Sequence, residues 1–276
     1  MIKKRGYLRS ILLRSAIITF LALILPLQLM AGGKKDESGS ILTVGATPVP
    51  HAELLNLVKD DLAKQGITLK VVEFTDYVQP NSALISGDLH ANFFQHIPYL
   101  GSNADWSNKL VSAFGVHVEP FGLYSSKFKN IADLPNGATI AIPNDPTNGG
   151  RALLLLQSKG LIKLKDDAGL NATSRDVTGN PNNFRFIELE AALLPRSLDD
   201  VDAATINGNF ALQAGFNPIN DALIIEGAES PYVNIVVVQK GKEQDPGILA
   251  LKNALLSQKV KDFIIKTYSG GVVSIF

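Results

Sequence analysis

The 276-residue sequence contains no cysteine. This absence excludes disulfide bonds, thiolate metal ligands and cysteine nucleophiles. Three other functional patterns are also absent: a G-x-x-x-x-G-K-[ST] loop for nucleotide phosphates, an H-E-x-x-H zinc motif and a G-x-S-x-G nucleophile elbow. The sequence therefore gives little support to an enzyme and favours a binding function.

Acidic residues are missing from the N-terminal region. Residues 1–31 contain five basic residues and no acidic ones, and the remaining chain has 21 basic and 26 acidic residues. A mildly acidic protein does not suit nucleic acid, which requires a clustered basic face, so no nucleic-acid partner is expected. The length and the 46% hydrophobic content predict a globular protein with two lobes.

Residues 1–31 have the features of an export signal, with a basic start, an apolar stretch at 16–25 and small residues before a polar segment. A retained transmembrane anchor is the weaker alternative. Pro26 and Gln28 interrupt a stretch that is already shorter than the ~20 apolar residues of a membrane span. Residues 32–40 are predicted to be a flexible tether. We therefore expect an exported protein, either periplasmic or a membrane lipoprotein that faces outward.

The stretch "LMAG" at 29–32 resembles a bacterial lipobox, in which a cysteine after the small residue is lipidated and becomes the mature N-terminus. Gly32 occupies the place of that cysteine, so this sequence cannot be lipidated there. Two explanations are open. A native cysteine has been replaced, in which case a lipid would attach the natural protein to the membrane surface, or cleavage near Ala31 releases a soluble protein.

Strand and helix patterns alternate through the rest of the chain, which predicts an α/β fold with largely parallel sheets. For example, "ILTVGA" precedes the helical pattern "HAELLNLVKDDLAKQG", and "ATIAIPN" precedes "RALLLLQSKGLI". One long amphipathic helix is predicted from "ILALKNALLSQKVKDFIIKTY". Two sheets facing each other would form a cleft lined by loops at the carboxyl ends of their strands, and a single large sheet is the alternative.

A tight loop with two glycines is predicted at 144–150, "NDPTNGG", with Arg151 at the start of the apolar helix that follows. The unpaired N–H groups of a helix start already carry partial positive charge, so an arginine there suggests a bound anion. Its guanidinium could bind a carboxylate bidentately. An exposed or salt-bridged surface arginine is the alternative.

Two asparagines and an aromatic segment are further candidates. Asn207 lies between a predicted strand and a predicted helix, where capping the helix is the alternative role. Asn234 lies inside a strongly apolar strand, so its amide needs partners, although an edge or bulge position would also explain it. The segment "ANFFQHIPYL" at 91–100 is predicted to be a loop at the cleft, although each ring taken alone could belong to the core.

Five long motifs follow one another along the chain: "DYVQPN", "ANFFQHIPYL", "IPNDPTNGGRALLLLQSKGLIKLKD", "ELEAALLPRSLDDVDAATINGNFALQAG" and "ESPYVNIVVV". From about Leu42 to the C-terminus, the chain resembles the methionine-binding lipoprotein family (MetQ, or NlpA-like), the substrate-binding components of a bacterial ABC importer. The resemblance implies a two-lobed type II periplasmic-binding-protein fold with two crossovers and a ligand cleft between the lobes. Lobe 1 would comprise 41–120 and a return at 233–276, and lobe 2 would comprise 121–232.

The resemblance also implies a methionine site without catalytic residues or a cofactor. Its partners would be an ABC permease and the ATPase subunit of that permease. Arg151 would bind the ligand carboxylate, Asn207 and Asn234 would bind its polar head, and aromatic rings would surround the thioether, whose contacts with ring edges contribute about 0.3–1.5 kcal/mol each. The suggested ligand-binding residues are Tyr77, Phe94, His96, Tyr99, Arg151, Asn207 and Asn234.

Other functions are weighed against this one. A metal-binding receptor is disfavoured because the four histidines form no compact His/Asp cluster in the sequence. An amino-acid hydrolase is disfavoured because His96 could act as a base but has no evident nucleophile to activate. The expected ligand is L-methionine, with D-methionine as a further candidate, and within the binding proteins the alternative ligands are a methionyl dipeptide or another apolar amino acid.

Overall fold

A computed structural model describes residues 39–227 and 230–276. The predicted export signal at 1–31, the lipobox position Gly32 and all but the last two residues of the predicted tether lie outside the described residues. Within the described ranges, no helix combines the length and the apolar character that a membrane crossing requires.

Strands and helices alternate along the described chain. The strands are β1 (Ser40–Ala46), β2 (Ile67–Glu73), β3 (Ala91–His96), β4 (Leu110–Val118), β5 (Gly122–Tyr124), β6 (Thr139–Pro143), β7 (Lys163–Leu164), β8 (Val177–Gly179), β9 (Arg185–Leu189), β10 (Ala203–Ile206), β11 (Ile224–Ile225), β12 (Val233–Gln239) and β13 (Val273–Ser274). The α-helices are α1 (Glu53–Leu57), α2 (Lys59–Ala63), α3 (Gln79–Ser86), α4 (Ile97–Gly101), α5 (Ala104–Lys109), α6 (Pro146–Ser158), α7 (Leu194–Ser197), α8 (Gly208–Gln213), α9 (Pro218–Asp221), α10 (Pro246–Leu255) and α11 (Gln258–Tyr268).

The strands form two main sheets. The first has six strands in the order β13–β4–β12–β3–β1–β2, and the second has five in the order β11–β5–β10–β6–β9. Strand β1 pairs in parallel with β2 and β3, and β6 pairs in parallel with β9 and β10. Strand β12 is antiparallel to β3 and β4, and β5 is antiparallel to β10 and β11. Each sheet therefore has a parallel part, as expected, and an antiparallel part beside it.

The chain passes between the two sheets twice. It leaves the first sheet at Val118, the end of β4, and enters the second at Gly122, the start of β5. It returns between Ile225, the end of β11, and Val233, the start of β12. The alternative of one large sheet is therefore wrong for the described chain, which has the two crossovers that the resemblance implied.

Each sheet has its own apolar core. Val44, Phe93 and Leu251 belong to a buried cluster that joins the first sheet to α1, α10 and α11. Ile140 and Leu153 belong to a second cluster, in which α6 packs on the second sheet. The burial of apolar surface, at about 25 cal/mol per Å², stabilises each sheet against its own helices.

Two predicted helices are interrupted. The predicted C-terminal helix is in fact α10 followed by α11, because Ser257 adopts an extended conformation and its side chain caps α11 through the N–H of Val260. The helical pattern at 51–66 is divided into α1 and α2 at Val58, whose φ and ψ of −96° and 1° are not those of an α-helix.

The aromatic-rich segment is not a loop, as the sequence suggested. Its first six residues form β3, which lies between β12 and β1 and is buried along its whole length. Because β3 is buried on both faces, it lacks the alternation of polar and apolar residues that marks a half-buried strand. Phe93 packs in the core of the first sheet, whereas its neighbour Phe94 belongs to the opposite face.

The predicted loop at 144–150 is also helical over most of its length. Helix α6 begins at Pro146, and Asp145 caps it by accepting a hydrogen bond from the N–H of Asn148. Gly150 serves close packing, because a Cβ there would collide with the backbone oxygen of Leu170.

Arg151 therefore lies in the second turn of α6 and not at its start. The helix-dipole reason for expecting an anion beside it does not apply, because that field falls off within the first turn. Whether Arg151 binds an anion therefore depends on the residues that surround its side chain.

Candidate functional site

A pocket lies where the two crossovers pass between the sheets. It is lined by β3 and α4 from the first sheet, by α6 and α8 from the second, and by residues at both crossovers. All seven predicted residues line it: Tyr77, Phe94, His96, Tyr99, Arg151, Asn207 and Asn234. Sequence reasoning missed Gln95, Glu119, Asn148, Gly208 and Asn209.

Arg151 is fixed in the pocket wall on several sides. Its side chain is only 4% exposed, and its guanidinium lies 4.1 Å from the ring centroid of Tyr232 and 4.9 Å from that of Phe121. Its Nε and Nη2 donate to the carboxylate of Glu226 at 2.7 and 2.5 Å. Nη2 also donates to the backbone oxygen of Glu119 at 3.0 Å. The chain itself thus supplies one anion to Arg151.

Glu226 leaves part of the guanidinium available. Of the five N–H donors of an arginine, Glu226 and the backbone oxygen of Glu119 take those of Nε and Nη2. Nη1 makes no hydrogen bond within residues 39–227 and 230–276. Arg151 lines the pocket and Glu226 does not. Arg151 can therefore bind a second acceptor in the pocket while it keeps its bond to Glu226.

A chain of hydrogen bonds determines which atom Asn207 presents to the pocket. Both carboxylate oxygens of Asp145 accept from Nδ2 of Asn148 at 3.0 Å. Oδ1 of Asn148 must then be an acceptor, and Nδ2 of Asn207 donates to it at 2.8 Å. Asn207 occupies the N-cap position of α8, but its side chain does not cap the helix. Its Oδ1 is buried without a hydrogen-bond partner among the described residues.

His96 is a neutral histidine with its proton on Nε2. Its Nδ1 accepts from the backbone N–H of Tyr99 at 3.1 Å, so that nitrogen carries no proton, and Nε2 donates to Oδ1 of Asn148 at 3.2 Å. Burial, together with the charge of Arg151, lowers the pKa of His96 to about 3. Both ring nitrogens are engaged in hydrogen bonds, and the lowered pKa makes His96 a weak base.

Glu119 places a carboxylate in the same pocket wall. It is 5% exposed, and its Oε1 accepts from Nε2 of His117 at 2.8 Å and lies 3.3 Å from Nε2 of His51. The backbone N–H of Asn209 also donates to this carboxylate. Burial raises the pKa of Glu119, against the opposing influence of His51, Arg151 and the Asn209 N–H. The pocket therefore carries groups of both charge types.

His51, His117 and Glu119 form the compact cluster that the sequence did not reveal. Their ligand-type atoms lie within 4.8 Å of one another, an arrangement that could hold a metal ion. His51 is far from the other two in the sequence, which is why no cluster was expected. Burial lowers the pKa of His51 to about 4 and that of His117 to about 3. Two neutral imidazoles beside one carboxylate form direct hydrogen bonds, and a metal ion would have to displace them.

Aromatic rings form the least polar part of the pocket. The ring of Tyr77 lies 5.8 Å from that of Phe94, 5.7 Å from that of Tyr99 and 4.9 Å from that of Phe210. The Tyr77 hydroxyl donates to Oδ1 of Asn209 at 2.5 Å, and the Tyr99 hydroxyl donates to the backbone oxygen of Tyr77 at 3.0 Å. With their hydroxyls engaged, the rings offer an apolar and polarizable surface. Nδ2 of Asn209 is buried without a partner among the described residues.

Asn234 lies at an irregular point of β12. The register of β12 against β4 shifts between Asn234 and Ile235, but the extra residue is Val116 on β4, and β12 lies between two strands, so Asn234 is neither a bulge nor an edge residue. The side chain has the partner that a buried amide needs, because its Oδ1 lies 3.1 Å from Nε2 of His51. Of the two explanations offered for this asparagine, the need of a buried amide for a partner applies, and the edge or bulge position does not.

The fold and the site define a class of protein, a two-lobed binding protein of the type II periplasmic kind with a small polar and aromatic pocket between its sheets. More specifically, the chain belongs to the NlpA lipoprotein family, whose model matches residues 42–276. The predicted family and fold class are both confirmed.

The relatives of this chain include methionine-binding lipoproteins and solved structures. It is 42% identical to the D-methionine-binding lipoprotein MetQ of Escherichia coli over 258 residues, 91% of this chain and 94% of that protein. It is 41% identical to the methionine-binding lipoprotein MetQ of Bacillus subtilis over 251 residues, 88% of this chain and 89% of that protein. A nutrient binding protein from Burkholderia cenocepacia, solved bound to methionine, is 48% identical with a TM-score of 0.82, covering 85% of this chain and 100% of that chain.

Proposed function

We propose that this protein is the extracytoplasmic substrate-binding component of an ABC importer and that it binds methionine in the pocket between its two sheets. The observation that carries the proposal is the presence of Arg151, Glu119 and several aromatic rings in one buried pocket. A free amino acid brings a carboxylate, an ammonium and a side chain, and burying it requires a partner for each.

The two charged side chains suit the two ends of the amino-acid head group. Arg151 would bind the ligand carboxylate through the N–H groups that Glu226 leaves free, and Glu119 would accept from the ammonium. Because Glu226 already neutralises Arg151, an ionised Glu119 would give the pocket an excess of negative charge. We therefore expect the pocket to favour a ligand with a free ammonium over an N-acylated one.

The unpartnered amide atoms fit the same orientation. Oδ1 of Asn207 can accept a hydrogen bond from the ammonium, and Nδ2 of Asn209 can donate one to the carboxylate. A buried polar group without a partner costs about 1–3 kcal/mol, so a ligand that pairs with both atoms gains affinity. The rings of Tyr77, Phe94 and Tyr99 would then surround the thioether.

Binding across the two crossovers provides a means to couple ligand capture to lobe movement. We propose that lobe 1 comprises 41–120 and 233–276, that lobe 2 comprises 121–232, and that methionine shifts the population towards a closed form. The closed form would deliver methionine to a membrane permease driven by an ATPase subunit. The relatives named above are binding proteins, and we assign no catalytic step to this chain.

Isothermal titration calorimetry on the purified protein tests the proposal. L-methionine should bind with a Kd in the micromolar to nanomolar range, or about −8 to −12 kcal/mol. Leucine tests the contacts of the aromatic rings with the thioether, and N-acetylmethionine tests the contact of Glu119 with the ammonium. D-methionine tests stereospecificity. Absence of heat with both methionine isomers would contradict the proposal, and equal affinity for methionine and N-acetylmethionine would remove Glu119 from the site.

A further inference from the structure

His51 contacts the pocket residues without lining the pocket. The residue is fully buried in the segment between β1 and α1, and its ring packs edge-on against Phe93 with the centroids 4.6 Å apart. Its Nε2 lies 3.1 Å from Oδ1 of Asn234 and 3.3 Å from Oε1 of Glu119, and both of these residues line the pocket. Glu119 belongs to the first crossover and Asn234 follows the second. One imidazole thus contacts both places where the chain passes between the sheets.

The surrounding atoms determine where the His51 proton lies. Nε2 lies 3.3 Å from Oε1 of Glu119, and because a carboxylate oxygen only accepts, Nε2 carries the proton and donates. Nδ1 lies 2.7 Å from the hydroxyl of Thr47, which can donate to it. Burial lowers the pKa of His51 to about 4, so the ring is neutral near pH 7 and has a single N–H. This proton pattern satisfies both ring nitrogens.

The same pattern determines the orientation of Asn234. An asparagine amide has one oxygen and one NH2 group, and rotating it by half a turn exchanges the two. Because the N–H of His51 requires an acceptor, the oxygen of Asn234 stays with His51 and its NH2 group is left for the pocket. A reversed amide would instead place its oxygen against the carboxylate of a ligand, where two acceptors repel each other.

We propose that His51 is a positioning residue, which orients the Asn234 amide so that its NH2 group donates to the ligand carboxylate. Thr47 supports this role by holding His51 in the tautomer with the proton on Nε2. The proposal rests on the proposed function, because it assumes a carboxylate ligand in the pocket. It adds two residues that lie outside the pocket to those that determine affinity.

Substitution of His51 by phenylalanine tests the proposal, because the ring is kept and both nitrogens are removed. We expect the Kd for L-methionine to rise about tenfold, as for the loss of one buried hydrogen bond, in a protein that remains folded by circular dichroism. His117→Phe is the matched control, since the His117 side chain contacts Glu119 and makes no hydrogen bond to the Asn234 side chain. It should weaken binding less than His51→Phe does.

A double-mutant cycle separates positioning from a general structural effect. In an Asn234→Ala background, His51→Phe should weaken binding no more than His117→Phe does, because the residue that His51 orients is gone. An undiminished effect of His51→Phe in that background would overturn the proposal. Failure of the parent protein to bind methionine would instead refute the proposed function.

Two further measurements apply even if His51→Phe does not fold. Nitrogen-15 NMR of the labelled parent protein should show His51 neutral at pH 7 with its proton on Nε2, and a proton on Nδ1 would overturn the proposal. Thr47→Ser keeps the hydroxyl and should bind methionine like the parent, whereas Thr47→Val should bind several times more weakly. Equal affinities for these two variants would remove Thr47 from the account.

Discussion

Replacement of Arg151 should affect both folding and binding, and the structure allows the two effects to be separated. Arg151 and Glu226 form a buried ion pair with side-chain exposures of 4% and 14%. Arg151→Met leaves the carboxylate of Glu226 unpaired, which should lower the free energy of unfolding by about 3 kcal/mol. It should also weaken methionine binding by about 2–5 kcal/mol, which raises the Kd roughly thirtyfold to several thousandfold.

The double variant Arg151→Met with Glu226→Gln removes the unpaired charge as well. Its stability in urea denaturation should return most of the way to that of the parent, because replacing both members of a buried ion pair is often close to neutral. Its methionine affinity by calorimetry should stay as low as that of the single variant. Recovery of binding together with stability would refute the assignment of Arg151 to the ligand carboxylate.

Three more predictions follow from the buried charges. Glu119→Gln should raise the Kd for methionine by about ten- to a hundredfold in calorimetry, because a charge-assisted hydrogen bond to the ammonium is lost. The same variant should bind N-acetylmethionine about as well as the parent protein does. The free energy of unfolding should fall as the pH drops from about 6.5 to about 4, because His51, His96 and His117 stay neutral in the folded protein while the unfolded chain takes up protons. Each of these three histidines lowers the free energy of unfolding by at most about 1.4 kcal/mol per pH unit, which urea titrations at several pH values would measure. Protonation of Glu119 in the folded protein, where its pKa is raised, offsets part of this loss of stability. EDTA should leave methionine affinity unchanged, and a loss of affinity that zinc restores would revive the metal-binding alternative.

The predictability of the fold from sequence depended on how each element is buried. Strands and helices with one buried face, such as β2 and α11, show a period in the sequence. Strand β3 is buried on both faces, so its sequence has no alternation and was misread as a loop. The break at Ser257 was missed because the apolar pattern of α10 continues into α11, and only the capping side chain marks the boundary.

The residues of the candidate site also divide into those that the sequence predicted and those that it did not. Arg151 was selected for its supposed place at a helix start, which the structure corrects, yet it does line the pocket. Glu119 and Asn209 were missed because neither stands in a pattern that distinguishes it from a surface residue. Their significance comes from the packing of the first crossover against α8, where the Asn209 N–H donates to the Glu119 carboxylate. The ion pair of Arg151 and Glu226 joins α6 to the second crossover. It could not be predicted from the sequence either, because the two residues are far apart along the chain.

A crystal structure of the protein grown with L-methionine would test the central claim most directly. We predict that the ligand carboxylate contacts Arg151, that its ammonium lies within hydrogen-bond distance of Glu119 and Asn207, and that its sulfur lies among Tyr77 and its neighbouring rings. Methionine bound elsewhere, or with its ammonium directed away from Glu119, would contradict the account.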